Sequence, residues 1–301
     1  MVNLLDVKNL SKSFNNRSVL KSISFHVGQG EIVGFIGPNG AGKSTTMKCI
    51  GNLFFSDEGT IEICGYDLNR ETSNALSKIG TLIEEPGLYN DLSGMEHIKL
   101  FAGLRGCSKE KQAEIISFMD LGDGVNRKVN EYSVGMRQRL GLGLALLGDP
   151  EILILDEPMS GLDPTGVFEL RKKLRYLCDK KGISILLSSH QLSEVDKMAD
   201  RILMINEGVV FTPADELQEL RQYEVTLKND WKELKEKSNI NLPFMAESIG
   251  NEKVRVTVEN NMSLSKVLDE FHQMGSVIQD VERVTIDTET LYKIYIGEAD
   301  E

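Results

Sequence analysis

The sequence predicts an α/β protein in which a mostly parallel sheet is flanked by helices and followed by a small α+β domain. Three runs of the 301-residue chain are almost wholly apolar, EIVGFIG (31–37), EILILD (151–156) and ISILLSSH (183–190), as in strands buried on both faces. Residues 167–181 have a helical pattern, and such alternation of strand and helix is typical of a parallel sheet. The charge also changes along the chain, because residues 212–301 hold 19 Asp and Glu against 10 Lys and Arg.

The other elements of the first two thirds follow in order. VLKSISFHV (19–27) alternates apolar and polar residues, which predicts a half-buried strand. A helix is expected to begin at Lys43. Residues 87–148 contain helical patterns, such as 109–120, and no convincing strand, which predicts a helical insertion. RILMINEGVVF (201–211) predicts two short strands around a Glu-Gly turn.

The last third predicts a separate domain with an alternating pattern. Strand, helix, strand, helix, strand and helix follow one another, which is typical of a split βαβ domain. We therefore expect a first domain over residues 1–220 and an accessory domain over 221–301, which could serve as a regulatory ligand-binding module or as a dimer contact. The predicted strands are 223–229, 252–260 and 276–286, and the predicted helices are 230–237, 263–275 and 288–297.

Composition and charge narrow the possible functions. The hydrophobic share of 41% and charged share of 27% are ordinary for a soluble globular protein, and the net charge of −12 disfavours a nucleic-acid partner. The four cysteines are scattered, so we expect reduced, packed thiols. The N-terminus lacks the pattern of a signal peptide, and the longest apolar stretch, 140–147, is too short to span a membrane. We therefore expect a cytoplasmic protein whose membrane role, if it has one, comes through a partner.

The stretch GPNGAGKST fits the phosphate-loop pattern G-x-x-x-x-G-K-[ST], and it lies between a predicted strand and a predicted helix. Its glycines let successive backbone N–H groups point at phosphate oxygens, and the helix N-terminus adds positive charge. Lys43 is expected to contact the β- and γ-phosphates, and Ser44 to bind Mg²⁺. The predicted triphosphate-binding residues are Gly37, Pro38, Asn39, Gly40, Ala41, Gly42, Lys43, Ser44 and Thr45.

An acidic pair ends the second apolar run. Ligands bind at the carboxyl ends of parallel strands, so Asp156 is well placed to hold Mg²⁺ through water. Glu157 is placed to polarise a water for in-line attack on the γ-phosphate. If the sequence lacked a phosphate loop, Asp156 and Glu157 would be better interpreted as two surface acids at a strand end.

The stretch YSVGMRQR resembles the signature of ATP-binding-cassette (ABC) ATPases, usually Leu-Ser-Gly-Gly-Gln followed by Gln-Arg one residue later. Ser133 and Gly135 match this signature, whereas Tyr132, Val134 and Met136 depart from it. A serine hydroxyl and a glycine N–H at a helix start still suit a γ-phosphate. The stretch SGLD (160–163) resembles the D-loop of the same family.

The resemblance covers residues 3 to 211 and implies a fold and a mechanism. The fold is an ABC cassette with antiparallel N-terminal strands and a helical subdomain at about 87–148. His190 matches the switch histidine, which acts with Glu157 and Lys43 in catalysis, and Phe14 matches the aromatic residue that stacks on adenine. The cofactors implied are ATP and Mg²⁺. Two cassettes pair head to tail, as a homodimer or close heterodimer, and drive a multi-span membrane permease.

Glu84 occupies the position of the family's Q-loop glutamine, which reaches Mg²⁺ and the attacking water. This substitution resembles the ATPases of bacitracin-resistance and lantibiotic-immunity exporters. A carboxylate would bind the metal more strongly than an amide oxygen. The alternative is that Glu84 lies in a solvated turn.

We therefore expect the ATPase subunit of a bacterial ABC exporter that handles antimicrobial peptides or other amphiphiles. A soluble ABC protein that acts on nucleic acid or ribosomes is the alternative. Proteins of that class usually carry a coiled-coil insertion, a second cassette or a basic surface, and this sequence shows none of them.

Overall fold

The computed structural model of the chain describes residues 2–84, 86–213, 220–238, 242–259, 261–284, 286 and 288–296. The chain forms two compact units, residues 1–210 and residues 211–301. The predicted domain boundary at residue 220 adjoins residues 214–219, which lie outside the described part, so the assignment of two domains stays a prediction.

The first unit contains both strands and helices. In chain order they are β1 (Asn3–Phe14), β2 (Arg17–Gly28), β3 (Ile32–Ile36), α1 (Lys43–Ile50), β4 (Glu58–Ile63), β5 (Tyr66–Asp67), α2 (Thr72–Ser77), β6 (Ile79–Leu82), α3 (Gly94–Arg105), α4 (Lys109–Met119), α5 (Val134–Leu146), β7 (Ile152–Leu155), α6 (Pro164–Lys181), β8 (Ser184–Ser189), α7 (Leu192–Asp196), β9 (Arg201–Asn206) and β10 (Val209–Phe211), with 3₁₀ turns at Gly122–Asn126 and Val129–Glu131.

The central sheet has six described strands in the order β10-β9-β3-β8-β7-β6. Strand β3 runs parallel to both β8 and β9, and β7 runs parallel to β6 and β8. Every residue of β3, β7 and β8 is buried, which explains why these runs are apolar rather than alternating. Ile36 pairs with Ser189, and Leu155 pairs with Leu187. The carboxyl ends of the three strands therefore meet at one edge of the sheet.

A second sheet, antiparallel, has four described strands in the order β2-β1-β4-β5. Asn15 and Asn16 join β1 to β2, and both have positive φ, as a two-residue turn between twisted strands requires. The antiparallel N-terminal strands implied by the family resemblance are confirmed. The residue pattern predicted β2 but missed β1, because the pairing of β1 with β2 shifts register repeatedly and breaks the alternation of exposed and buried residues.

The region between β6 and β7 contains the helices α3, α4 and α5. Helix α3 begins with a capping box, in which Ser93 and Glu96 each satisfy a backbone N–H of the other. A Cβ on Gly143 of α5 would lie 2.6 Å from the Met119 side chain at the end of α4. Gly143 therefore lets α4 and α5 pack closely.

The second unit has the order strand, helix, strand, strand, helix, strand, helix. Its strands lie in the order β12-β13-β11-β14 and all pair antiparallel, which is the arrangement of a split βαβ domain. The sequence pattern missed β12 because this strand is short and largely exposed. The bounds are β11 (Leu220–Leu227), α8 (Trp231–Ser238), β12 (Met245–Ser248), β13 (Lys253–Glu259), α9 (Leu264–Gln273), β14 (Ile278–Val284) and α10 (Thr288–Ile296).

Candidate nucleotide site

The phosphate-loop sequence forms the connection between β3 and α1. Gly40 and Gly42 have φ values of 80° and 116°, in the left-handed region that favours glycine. A Cβ on Gly37 would lie 2.2 Å from the carbonyl oxygen of Ile205, so only glycine fits there. Helix α1 begins at Lys43 without a side-chain cap. Its first N–H groups, including those of the Ser44–Thr45 turn, are therefore oriented as in an anion-binding helix N-terminus.

Lys43 is held inside this loop rather than in solvent. Its side chain is 6% exposed, and Nζ donates to the carbonyl oxygens of Gly37 at 2.6 Å and Pro38 at 3.1 Å. Nζ also lies 3.4 Å from Oε1 of Glu157. The loop thus surrounds a buried cation, which makes the site electrostatically suited to phosphate.

The acidic pair lies at the carboxyl end of β7, and a serine from β8 ties its two residues together. The Ser188 hydroxyl donates to Oδ1 of Asp156 at 2.5 Å, and the backbone N–H of Glu157 donates to the same hydroxyl oxygen at 2.8 Å. Asp156 and Ser188 are both buried. Glu157 has a φ of 47°, in the left-handed region, so the chain turns sharply directly after β7.

Ser188 was missed by the sequence reasoning. The signal for it was present, because two serines interrupt the apolar run ISILLSSH shortly before its histidine. A fully buried hydroxyl needs partners. The parallel register of β7 and β8 supplies them in the acidic pair.

His190 follows β8 and contacts the same glutamate. Its Nδ1 lies 2.9 Å from Oε2 of Glu157. This distance fits a hydrogen bond that Nδ1 donates to the carboxylate when Nδ1 carries the proton. The structure therefore brings together Lys43, Glu157 and His190, as the family resemblance implies. Oε1 of Glu157 lies toward Lys43, and Oε2 lies toward His190.

Glu84 follows β6 at the same edge of the sheet, with φ at 60°. Its carboxylate forms an ion pair with Lys48 of α1, and its side chain is 62% exposed. Lys48 lies one helical turn beyond Ser44 on the same face of α1. The structure thus places Glu84 beside the helix that carries the predicted metal-binding serine, but paired with a lysine that the sequence reasoning did not consider.

Phe14 lies at the end of β1, against another ring. Its ring centroid is 5.2 Å from that of Phe54, in an edge-to-face arrangement, and Lys12 Nζ lies 5.3 Å above it. A cavity of about 560 Å³ adjoins Pro38–Ala41 and is lined on its other sides by residues that include Arg17, Val19 and Glu207. Phe14 is not among the described residues that line this cavity. Its predicted stacking on adenine stays a prediction, and Arg17 is a cavity-lining residue that the sequence reasoning did not name.

The signature stretch forms the start of α5. The Ser133 hydroxyl caps the helix by accepting from the N–H of Met136 at 3.3 Å. Tyr132, which replaces the usual leucine, donates from its buried hydroxyl to the carbonyl of Gly124 at 2.8 Å, and burial raises the pKa of its phenol. A cavity of about 550 Å³ is lined by Ser133 and Gly135 together with Gly161, Leu162 and Asp163 of the D-loop stretch. The departures from the usual signature therefore leave an intact helix N-terminus open at the surface.

Two general observations complete the site. Among the described residues there is no group of three or more His, Cys, Asp or Glu side chains arranged to hold a metal ion. Within the part of the chain that the structure describes, none of the helices has the length and apolar character needed to cross a membrane.

The fold and the site together define a nucleoside-triphosphate-binding α/β protein. The chain matches the family model for ABC transporters over residues 20–160. It is 43% identical over 209 residues to the uncharacterized ABC transporter ATP-binding protein YhcH of Bacillus subtilis (strain 168), which covers 69% of this chain and 68% of YhcH. The chain belongs to the ABC transporter family, as an ATP-binding subunit and ATPase.

Two further relatives carry functional names. The bacitracin transport ATP-binding protein BcrA of Enterococcus faecalis is 39% identical over 206 residues, which are 68% of this chain and 67% of BcrA. The lantibiotic transport ATP-binding protein SrtF of Streptococcus pyogenes is 40% identical over 207 residues, which are 69% of this chain and 89% of SrtF. The predicted resemblance to this subgroup is confirmed.

Solved structures agree with the fold. An ATP-binding subunit of an ABC transporter superposes with a TM-score of 0.65 at 32% identity, and covers 71% of this chain and 92% of its own. The ATP-binding cassette MJ0796, solved as a dimer in a post-hydrolysis state with ADP and Pi, has a TM-score of 0.63 at 26% identity and covers 68% of this chain and 96% of its own. The predicted cassette fold and the ATPase class are confirmed.

Proposed function

We propose that the chain hydrolyses ATP at its phosphate loop to power the export of antimicrobial peptides or related amphiphiles through a membrane permease. The observation that carries the site assignment is the convergence of Lys43, Glu157 and His190, beside Asp156, where β3, β7 and β8 end. Three strands far apart in sequence present catalytic side chains at one edge, as α/β nucleotide sites do.

Glu157 acts as the general base in this proposal. Its Oε1 lies near Lys43 and its Oε2 near His190. When β- and γ-phosphates enter the loop, Lys43 turns to them, and Oε1 becomes available to accept a proton from the attacking water. His190 holds the carboxylate in position, so proton transfer occurs from a fixed geometry.

The oxygens near the phosphate loop suit Mg²⁺. Ser44 offers a hydroxyl, and the Asp156 carboxylate is buried with only one oxygen engaged by Ser188. Bound Mg²⁺ would supply positive charge that offsets the charge of the phosphates. Glu84 is a further oxygen donor if it exchanges Lys48 for the metal.

We propose that two chains pair head to tail, as a homodimer. Ser133 and Gly135 then meet the γ-phosphate of the partner's nucleotide, because none of the described residues that line the cavity beside the N-terminus of α5 belongs to the chain's own phosphate loop. ATP closes the pair and hydrolysis opens it, and this motion is passed to the permease.

The helical region offers a surface for the permease. Leu100 and Leu104, one turn apart on α3, are 41% and 75% exposed, and Tyr89 is 58% exposed. Exposed apolar side chains grouped in this way favour a protein partner. We therefore place the protein in the cytoplasm, bound to the inner face of the membrane through the permease. The cargo is inferred from the relatives named for bacitracin and lantibiotic transport.

Co-expression tests the proposal. The chain is produced in a peptide-sensitive bacterium together with a candidate multi-span permease from the same genome. The pair should raise the concentration of bacitracin or a lantibiotic that inhibits growth, and the pair carrying Glu157→Gln should not. Unchanged sensitivity, with the protein found on nucleic acid or ribosomes and not on membranes, would favour the soluble alternative.

A further inference from the structure

The four-stranded sheet of the second unit has a polar face on which Gln222 and Thr257 are buried, while Glu224 and Arg255 are partly exposed. Valines of β13 and the aromatic side chains of α8 and α9 form an apolar core on one face. On the other face Gln222 pairs across the strands with Thr257, and Glu224 pairs with Arg255. Gln222 and Thr257 are 3% and 8% exposed, and the Gln222 amide donates to the Thr257 hydroxyl at 3.1 Å. Burial of such a row costs free energy unless its groups find partners.

A cavity of about 230 Å³ lies over this polar row. Strands β11, β12 and β13 contribute to its walls, and α10 contributes Thr290, Lys293 and Ile294. Since a water molecule occupies about 30 Å³ of liquid, the cavity has room for a molecule of roughly eight non-hydrogen atoms. It is therefore too small for a peptide and of suitable size for a metabolite.

Arg255 supplies the strongest sign that this cavity takes a ligand. One end of its guanidinium is paired, with Nη2 2.9 Å from Oε1 of Glu224. Its Nε is buried and has no hydrogen-bond partner among the described residues. A buried N–H of a charged group left without an acceptor carries a free-energy cost. An acceptor brought by a ligand into the adjoining cavity would remove this cost.

The charges of the lining indicate the class of ligand. Arg255 and Lys293 are cationic, and Glu247, which is opposite Arg255 in the strand register, is anionic. Met245 and Ile294 add apolar surface. We propose that this cavity binds a small zwitterion, a free α-amino acid with an apolar side chain. Its carboxylate is held by Arg255 and Lys293, its ammonium by Glu247, and its side chain by Met245 and Ile294.

Calorimetric titration of the full chain with each of the twenty standard amino acids tests this site. At least one apolar amino acid should bind saturably with one site per chain, and acetate and inorganic phosphate should bind at least tenfold more weakly. The proposal would be overturned if none of the twenty amino acids bound saturably. It would also be overturned if acetate or phosphate bound as tightly as the amino acid, because the site would then not recognise a zwitterion.

Variants locate the site without reference to the phosphate loop. Arg255→Lys removes the Nε donor and keeps the charge, and Ile294→Trp fills the cavity; each should weaken binding at least tenfold. Arg283→Lys, on β14 outside the cavity lining, should bind as the wild type does. Unaltered ATP binding and thermal transition check that each variant is folded, and full amino-acid affinity in both cavity variants would contradict the assignment.

Discussion

The proposed mechanism uses two helix N-termini, those of α1 and α5, and these two ends differ in their capping. Helix α1 starts after Gly42, in a left-handed conformation with no side-chain cap, next to the buried Lys43. Helix α5 starts after Ser133, whose hydroxyl caps it, and both Ser133 and Val134 are exposed. The N–H groups at the start of α1 have no side-chain acceptor. At the start of α5 the Ser133 hydroxyl is such an acceptor.

This difference predicts a division of roles. An uncapped helix end beside a buried lysine is stabilised by an anion, so the α1 end should bind ATP within a single chain. At the α5 end the Ser133 hydroxyl accepts from the N–H of Met136, and its own proton remains available for donation to a nucleotide. It should therefore contribute when a second chain brings its nucleotide. Four changes test this comparison.

Glu157→Gln should have the largest effect. The amide cannot accept the water's proton, so ATP turnover should fall by about 10²- to 10⁴-fold while ATP binding is kept. Light scattering with Mg-ATP should show a stable dimer, because hydrolysis no longer opens it. Glu151→Gln, at the opposite end of the same strand, is the control and should turn over normally. Full turnover in Glu157→Gln would exclude the assigned base.

Lys43→Ala should remove the cation from the α1 end. Since hydrogen bonds to a charged group contribute about 1.5–3 kcal/mol, ATP affinity should fall at least tenfold. Titration with a fluorescent ATP analogue in EDTA measures this without hydrolysis or dimer formation. Lys78→Ala, which removes an exposed lysine paired with Glu151, is the matched variant. Equal affinity in the two variants would contradict the phosphate-loop assignment.

Ser133→Ala tests the α5 end against an ordinary cap. Ser108→Ala removes the corresponding cap of α4, where Ser108 accepts from Lys111 N–H at 3.2 Å. Each change should cost about 1 kcal/mol and lower the melting temperature by about 2–4 °C. Only Ser133→Ala should also reduce ATP-driven dimer formation and turnover, with single-chain ATP affinity retained. The same turnover loss in both variants would mean that Ser133 is only a cap.

Glu84→Gln should have the smallest effect. It removes a negative charge near the predicted metal-binding serine and breaks the ion pair with Lys48. In a Glu157→Gln background, the Mg²⁺ concentration needed for half-maximal dimer formation should rise a few-fold. Glu62→Gln breaks a comparable exposed pair with Lys8 and should leave the titration unchanged. Identical titrations for both variants would favour the solvated-turn interpretation of Glu84.

The sequence predicted most of the central sheet and the phosphate site because both depend on local patterns. Strands β3, β7 and β8 are buried on both faces, so their apolar runs are visible without any partner. The phosphate loop needs glycines where φ is positive, and Gly40 and Gly42 are where the motif places them. Strands β1 and β12 were missed, since register shifts in one and exposure of the other remove the alternating pattern.

Contacts between segments far apart in the chain were beyond sequence reasoning. Ser188 joins Asp156 to Glu157 only because β7 and β8 are parallel neighbours. Phe14 lies against Phe54 because of where the loop after α1 packs. No local pattern reports such partners, which lie tens of residues away.

The sequence by itself determined the family, the phosphate loop and the acidic pair, because their chemistry requires fixed residue types at fixed spacing. The tertiary structure decided how these residues pair. It placed one oxygen of Glu157 toward Lys43 and the other toward His190, and it paired Glu84 with Lys48. Side-chain pairing depends on strand register and helix position, and those follow from packing of the whole sheet rather than from any one segment.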